Sequence, residues 1–137
     1  MSDVIDKQPA PSGDRILVVD DSVIIREMLR DVLTDAGYVV DTADDGNQGV
    51  EMALRNDYAV ILCDVHMPNR DGLQTVRAIL GAKPLARIIM TDSFPDKLAA
   101  SARAEGALCC LQKPFDVTEL RDMIRRVKTT GTVTLGR

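Results

Sequence analysis

Five side chains along the sequence could together handle a phosphoryl group or a hard cation. Asp20 and Asp21 are adjacent, Asp64 closes the apolar run YAVILC, Thr91 follows IIM, and Lys113 precedes Pro114. A lone Asp after an apolar run is ordinarily a helix cap or turn former, so no one of these residues is informative alone. Gathered at one place, they have a definite chemistry. Clustered carboxylates repel one another and are tolerable only with cations among them. Mg²⁺ is a hard ion that takes oxygen ligands, typically one or two carboxylates plus phosphate oxygens. The three carboxylates carry three negative charges, which one Mg²⁺ and the Lys113 ammonium together offset. One carboxylate could then act as nucleophile in an in-line phosphoryl transfer. The metal, the ammonium and the Thr91 hydroxyl would take up charge on the phosphoryl oxygens.

The elements that must gather them are legible in the pattern. Arg15 to Asp20, Tyr38 to Ala43, Tyr58 to Cys63, Ala86 to Met90 and Ala107 to Leu111 read as short strands. The continuously apolar ones suit strands buried on both faces of a sheet, whereas the polar interruptions in the second suit a place nearer an edge. Between them lie helical repeats. The first is capped by Ser22 or Asp21 and stopped at Gly37; the others run Gly46 to Asn56, Asp71 to Leu80, and Asp96 to Glu105, with a last helix from Asp116. Strands alternating with helices predict an α/β fold with a parallel sheet and right-handed crossovers. In such sheets ligands bind beyond the carboxyl ends of the strands. The first, third, fourth and fifth strands end in, or run into, Asp20-Asp21, Asp64, Thr91 and Lys113, so the five side chains are expected on one rim.

The length of 137 residues fits one domain with a full core. The expected layout is a flexible leader over residues 1–13, a domain over 14–128 and a flexible tail over 129–137. The leader has no signal-peptide hydrophobic region, and no apolar run reaches the length of a membrane span. Cys63, Cys109 and Cys110 sit in apolar runs without metal-ligand spacing, as expected of small core residues in a reducing cytoplasm. The net charge of −4 disfavours non-specific binding to nucleic acid or anionic membranes. Arg121, Arg125, Arg126 and Lys128 are interleaved with Asp122 and lack aromatic neighbours, which reads as a solvated or protein-docking helix face.

VVDDS (Val18 to Ser22), CDVHMPNRDG (Cys63 to Gly72), the Thr91 strand end, EGA (Glu105 to Ala107) and LQKPF (Leu111 to Phe115) resemble the response-regulator receiver family, from Asp14 to Lys128. The resemblance implies a doubly wound (βα)5 sheet of flavodoxin-like strand order 2-1-3-4-5. It implies that Asp64 is the phospho-acceptor and that Asp21, Asp64 and the backbone carbonyl of His66 ligate Mg²⁺, with Asp20 holding a metal-bound water. Thr91 would bind the phosphoryl group and Lys113 would pair with it, with Pro114 fixing the lysine's geometry through a cis bond. Met67, Pro68 and Gly72 would shape the loop after Asp64. A histidine kinase or histidine phosphotransfer protein would be the donor. With no output segment in the sequence, a downstream protein would read the signal, without direct contact to nucleic acid or membrane.

Three positions depart from the family pattern. Asp92 follows the threonine where Ala or Gly is usual, Cys110 replaces the usual Tyr or Phe, and the Asp64 to Thr91 stretch is short, with Lys83-Pro84 linking into the fourth strand. Asp92 is expected to add negative charge and bulk where an anionic donor enters. Cys110 is expected to be a core residue that mutes or reroutes the signal toward the fifth strand. His66, the only histidine, reads as a rim residue acting through its backbone. Two other functions compete with the phospho-accepting one. A Mg²⁺-dependent phosphohydrolase would want Asp-x-Asp after one strand and a cap domain, and a receiver that only binds proteins would be expected to lack Asp64 or Lys113.

Overall fold

The computed structural model describes residues 14–92 and 97–130. The expected leader, the helix start at Asp96 and the tail from residue 131 lie outside the described residues. The elements are β1 (Arg15–Val19), α1 (Val23–Asp35), β2 (Val39–Ala43), α2 (Gly46–Arg55), β3 (Val60–Asp64), α3 (Gly72–Ala82), β4 (Ile88–Asp92), α4 (Lys97–Ala104), β5 (Cys109–Gln112) and α5 (Val117–Thr130). The strands form one sheet of order β2-β1-β3-β4-β5, and every neighbouring pair is parallel. This is the expected doubly wound topology.

The apolar runs fold this way because successive residues of a strand face opposite sides of the sheet. Leu17, Val19, Ile61, Cys63, Ile88 and Met90 pack with Ala53 of α2 and with Val76 and Ile79 of α3. Ile16, Val18, Val60, Leu62, Ile89 and Leu111 pack with Leu29 and Leu33 of α1 and with Leu120, Ile124 and Val127 of α5. Each Leu or Ile so buried contributes about 1.5–3 kcal/mol, which offsets much of the chain's ordering cost. β2, with Val39 exposed and its middle half-buried, is the edge strand its composition suggested.

Three helix starts are fixed by side-chain caps at the rim. Ser22 Oγ accepts the Ile25 N–H at 3.3 Å and Asp45 Oδ1 accepts the Gln48 N–H at 2.8 Å. Asp71 and Gln74 cap each other reciprocally. So Ser22 rather than Asp21 caps α1, which leaves the Asp21 carboxylate unused by the helix. Gly37, at φ 100°, ends α1 in the left-handed conformation that glycine tolerates best.

β3 and β4 run further toward the rim than hydropathy alone indicated. Asp64, Thr91 and Asp92 lie inside strands rather than after them. The ladder continues past the apolar run because the backbone still finds partners. The Val65 N–H donates to the Thr91 carbonyl at 3.0 Å and the Lys113 N–H to the Asp92 carbonyl at 2.7 Å. α5 likewise continues to Thr130, past the point where the sequence suggested fraying.

Candidate functional site

β1 and β3 are neighbours, and so are β3 and β4. The register sets Asp64 beside Thr91 and Thr91 beside Leu111, two residues before Lys113. The ends of β1, β3, β4 and β5 thus bring the five expected side chains to one rim. Carboxylate oxygens of Asp20, Asp21 and Asp64 all lie within 4.8 Å of one another. Asp20 and Asp64 are buried, at 2% and 6% exposure, and Thr91 is buried beside them. Asp21 faces solvent.

Lys113 holds this arrangement together. Its Nζ donates to Asp20 Oδ2 at 2.8 Å and lies 3.3 Å from Asp64 Oδ1. The other Asp20 oxygen accepts the Ser22 N–H at 2.9 Å. The Lys113–Pro114 peptide is cis. Burial, then the nearby Asp20 charge, push the Asp64 carboxyl up to about 6, against the pull of Lys113. Burial alone would lower the Lys113 pKa, but the hydrogen bond and charge of Asp20, followed by those of Asp64, raise it above its ordinary value. One ammonium therefore does not neutralise the cluster, and a divalent cation would. An all-oxygen donor set with one member open to solvent fits Mg²⁺, which keeps part of its water shell.

The loop from Asp64 to α3 is tightly held. The Gly72 N–H donates to the Val65 carbonyl at 2.7 Å. A Cβ at Gly72 would sit 2.7 Å from the Asp64 carbonyl oxygen and 2.8 Å from the Met90 side chain, so only glycine fits. Asn69, at φ 68°, donates to Asp45 Oδ2 at 2.8 Å, and Arg70 Nε donates to Asn47 Oδ1 at 2.9 Å. The loop is thereby clasped to the start of α2. Met67 packs half-buried on the core under α2 and α3.

Other expectations meet a different geometry. Asp92, expected to add charge where a donor enters, is buried: it is 2% exposed, and its Oδ1 lies 3.7 Å from His66 Nε2. The His66 ring, more than half exposed, thus leans toward Asp92 and not only toward solvent. Cys110 packs half-buried against the core beneath α2 and α3, and burial pushes the Cys63 thiol upward, as suits plain core residues. On α5, Arg125 pairs with Asp122 at 3.2 Å and Lys128 with Asp14 at 2.8 Å. Arg125 and Lys128 are thus engaged within the domain. Arg26 went unnoticed in the helical pattern of α1, yet its Nη1 donates to the Asp20 carbonyl at 2.7 Å. The one signal for it was a cation in the first turn of a helix that starts right after the acidic pair.

The sheet order and the carboxylate-lined rim define a doubly wound α/β domain with an acidic site at the carboxyl ends of its strands. The chain belongs to the response regulator receiver domain family, whose model matches residues 16–125. It is a receiver domain of the two-component kind, and such domains are signalling domains that bind Mg²⁺ in an acidic site and interact with histidine kinases or phosphotransfer proteins and with downstream targets. It is 35% identical over 113 residues to the transcriptional regulatory protein HprR of Escherichia coli, covering 81% of this chain and 50% of that protein. The chain thus spans about half the length of that relative. The chemotaxis response regulator CheY4 of Vibrio cholerae is 34% identical at a TM-score of 0.78, with 85% of this chain and 99% of that chain covered. The receiver domain of the sensor histidine kinase PA1611 of Pseudomonas aeruginosa, solved with a magnesium ion coordinated in its active site cleft, is 28% identical at a TM-score of 0.80, covering 85% of this chain and 98% of that chain. Among the described residues no helix is long and apolar enough to cross a membrane.

Proposed function

We propose that this chain is a phospho-accepting response regulator that takes a phosphoryl group on Asp64 with Mg²⁺ bound and signals by protein–protein contact. The observation that carries the reading is the Asp64 carboxylate at the end of β3, 3.3 Å from Lys113 and within 4.8 Å of the Asp20 and Asp21 carboxylates. An Asp64 oxygen attacks the phosphorus of a phosphohistidine. The new O–P bond forms as the P–N bond breaks, and the electron pair leaves with the donor imidazole. Asp21, Asp64 and the His66 carbonyl would hold Mg²⁺, with Asp20 acting through a water. Bound there, the ion would neutralise charge on the phosphoryl oxygens. Lys113 pairs with one phosphoryl oxygen and Thr91 donates its hydroxyl to another.

The added charge draws Thr91 and Lys113 inward and reshapes the neighbouring surface. A histidine kinase or histidine phosphotransfer protein is the donor, and a downstream protein is the reader. The acidic net charge supports a protein reader rather than DNA. The buried, reduced Cys63 suits a cytoplasmic setting. A purely protein-binding receiver is disfavoured because Asp64 and Lys113 are both present and in contact.

The test is incubation with acetyl phosphate or phosphoramidate and Mg²⁺, followed by intact mass. One added phosphoryl group is expected, absent in Asp64→Ala. No adduct with these donors or with a panel of histidine kinases would overturn the reading.

A further inference from the structure

Asp20 is pinned on every side, whereas Asp21 is not. The two Asp20 oxygens are taken by the Ser22 N–H and Lys113. The Asp21 carboxylate is exposed, and among the described residues none donates a hydrogen bond to it. Hydrogen bonds therefore fix only the backbone that carries it, that is, the plane of the Asp20–Asp21 peptide. On one side the Asp20 N–H holds to the Ala43 carbonyl of β2 at 3.1 Å. The carbonyl that belongs to the Asp20–Asp21 peptide accepts from Arg26 at 2.7 Å. That bond is short and charge-assisted, and it is stronger than a neutral backbone bond.

The choice of partner is informative. Arg26 lines a groove of about 410 Å³ with Glu27, Asp31 and Thr42, so carboxylates are close at hand. Even so, its guanidinium donates to the Asp20 carbonyl. Ordering a long Arg side chain costs up to about 2 kcal/mol of rotamer freedom. The arginine is itself fixed, because its backbone N–H closes the first turn of α1 on the Ser22 carbonyl at 3.0 Å. The strand end, the cap and the guanidinium therefore form one closed unit around the acidic pair.

We propose that Arg26 is a positioning residue of the metal site, clamping the Asp20–Asp21 peptide so that the otherwise unsupported Asp21 carboxylate stays aimed at the cation position beside Asp64. This rests on the reading that Asp20, Asp21 and Asp64 hold Mg²⁺. Partners that orient a metal ligand without touching the metal typically contribute about 10–100-fold in affinity. Arg26→Met keeps the apolar stem and removes the donors, and Arg26→Lys keeps the charge and one point donor.

Calorimetric titration with MgCl₂ should show Mg²⁺ binding to Arg26→Met weakened about tenfold or more, with Arg26→Lys between it and the wild type. Circular dichroism of the metal-free variants should match the wild type. An unchanged Mg²⁺ affinity in a folded Arg26→Met, or a Lys variant no better than the Met variant, overturns the clamp. Should the Met variant not fold, the Lys variant decides: wild-type affinity there overturns the clamp, and weakened affinity in a folded protein supports it. Wild-type protein that binds no Mg²⁺ removes both this inference and its basis, whereas wild type that binds and is labelled leaves the functional reading intact whatever Arg26 does.

Discussion

Replacing Asp64 by asparagine should stabilise the metal-free protein at alkaline pH. The Asp64 carboxyl is raised from 3.8 to about 6 by burial and by Asp20, a rise of about 2 units at about 1.4 kcal/mol each. A group whose folded pKa is raised contributes its full stability below the unfolded pKa and loses it as pH climbs through the folded one. At about pH 3.5, below the ordinary value of 3.8, the carboxyl is mostly neutral in both states, and wild type and Asp64→Asn should be nearly equal. Above pH 6 the wild type carries a third, poorly compensated charge beside Asp20 and Asp21, and the variant does not. The gap at pH 8 should approach about 3 kcal/mol, since Lys113 keeps its 2.8 Å bond to Asp20 in either protein. Urea unfolding in EDTA at about pH 3.5 and pH 8 measures it, and at about 2 kcal/mol per molar urea the midpoint shift at pH 8 exceeds one molar. Millimolar Mg²⁺ should then close the gap by stabilising the wild type preferentially. An Asp64→Asn variant no more stable than wild type at pH 8 without metal would refute the argument that this rim holds more negative charge than its lysine offsets.

Removing the counter-charge should have the opposite sign: Lys113→Met should lower stability in EDTA at pH 8 by about 3–5 kcal/mol, the cost of stranding a buried ionic partner. Mg²⁺ should recover part of that loss in the same melt. Gly72→Ala places a methyl 2.7 Å from both the Asp64 carbonyl oxygen and Val65 Cα, and should cost about 1–3 kcal/mol by urea unfolding. Asp92→Ala removes a buried carboxylate next to Thr91 and should speed labelling by acetyl phosphate, followed by mass against time. An equal or slower rate would remove Asp92 as a barrier to anionic donors.

The fold was legible because its central strands are apolar enough to be buried on both faces, while the cap at Ser22 and Gly37 punctuate the first helix. The candidate site was legible too, since each polar residue falls at the carboxyl end of its own strand, where strand order alone decides proximity. Four things were not. Hydropathy could not tell that β3 and β4 keep their backbone pairing through Asp64, Thr91 and Asp92. The burial of Asp92 follows from that extension, because a loop residue would be solvated and a strand residue at the same position is not. And the bond from Arg26 to a carbonyl leaves no trace in composition, because backbone acceptors are the same at every position. Likewise, the clasp from Asn69 and Arg70 to Asp45 and Asn47 joins residues whose types suit any polar surface.

The ion pair between Lys113 and Asp20 spans 93 positions of sequence, and the one between Lys128 and Asp14 spans 114. Synthesis therefore exposes the acidic cluster long before its lysine exists. A chain emerging from the ribosome can form β1 and β3 and still carry three uncompensated carboxylates at their ends until β5 docks at the far side of β4. Signalling competence is in this way tied to completion: only a chain whose last strand has closed the sheet sets Lys113 against Asp20 and Asp64 and so gives the acceptor its ammonium.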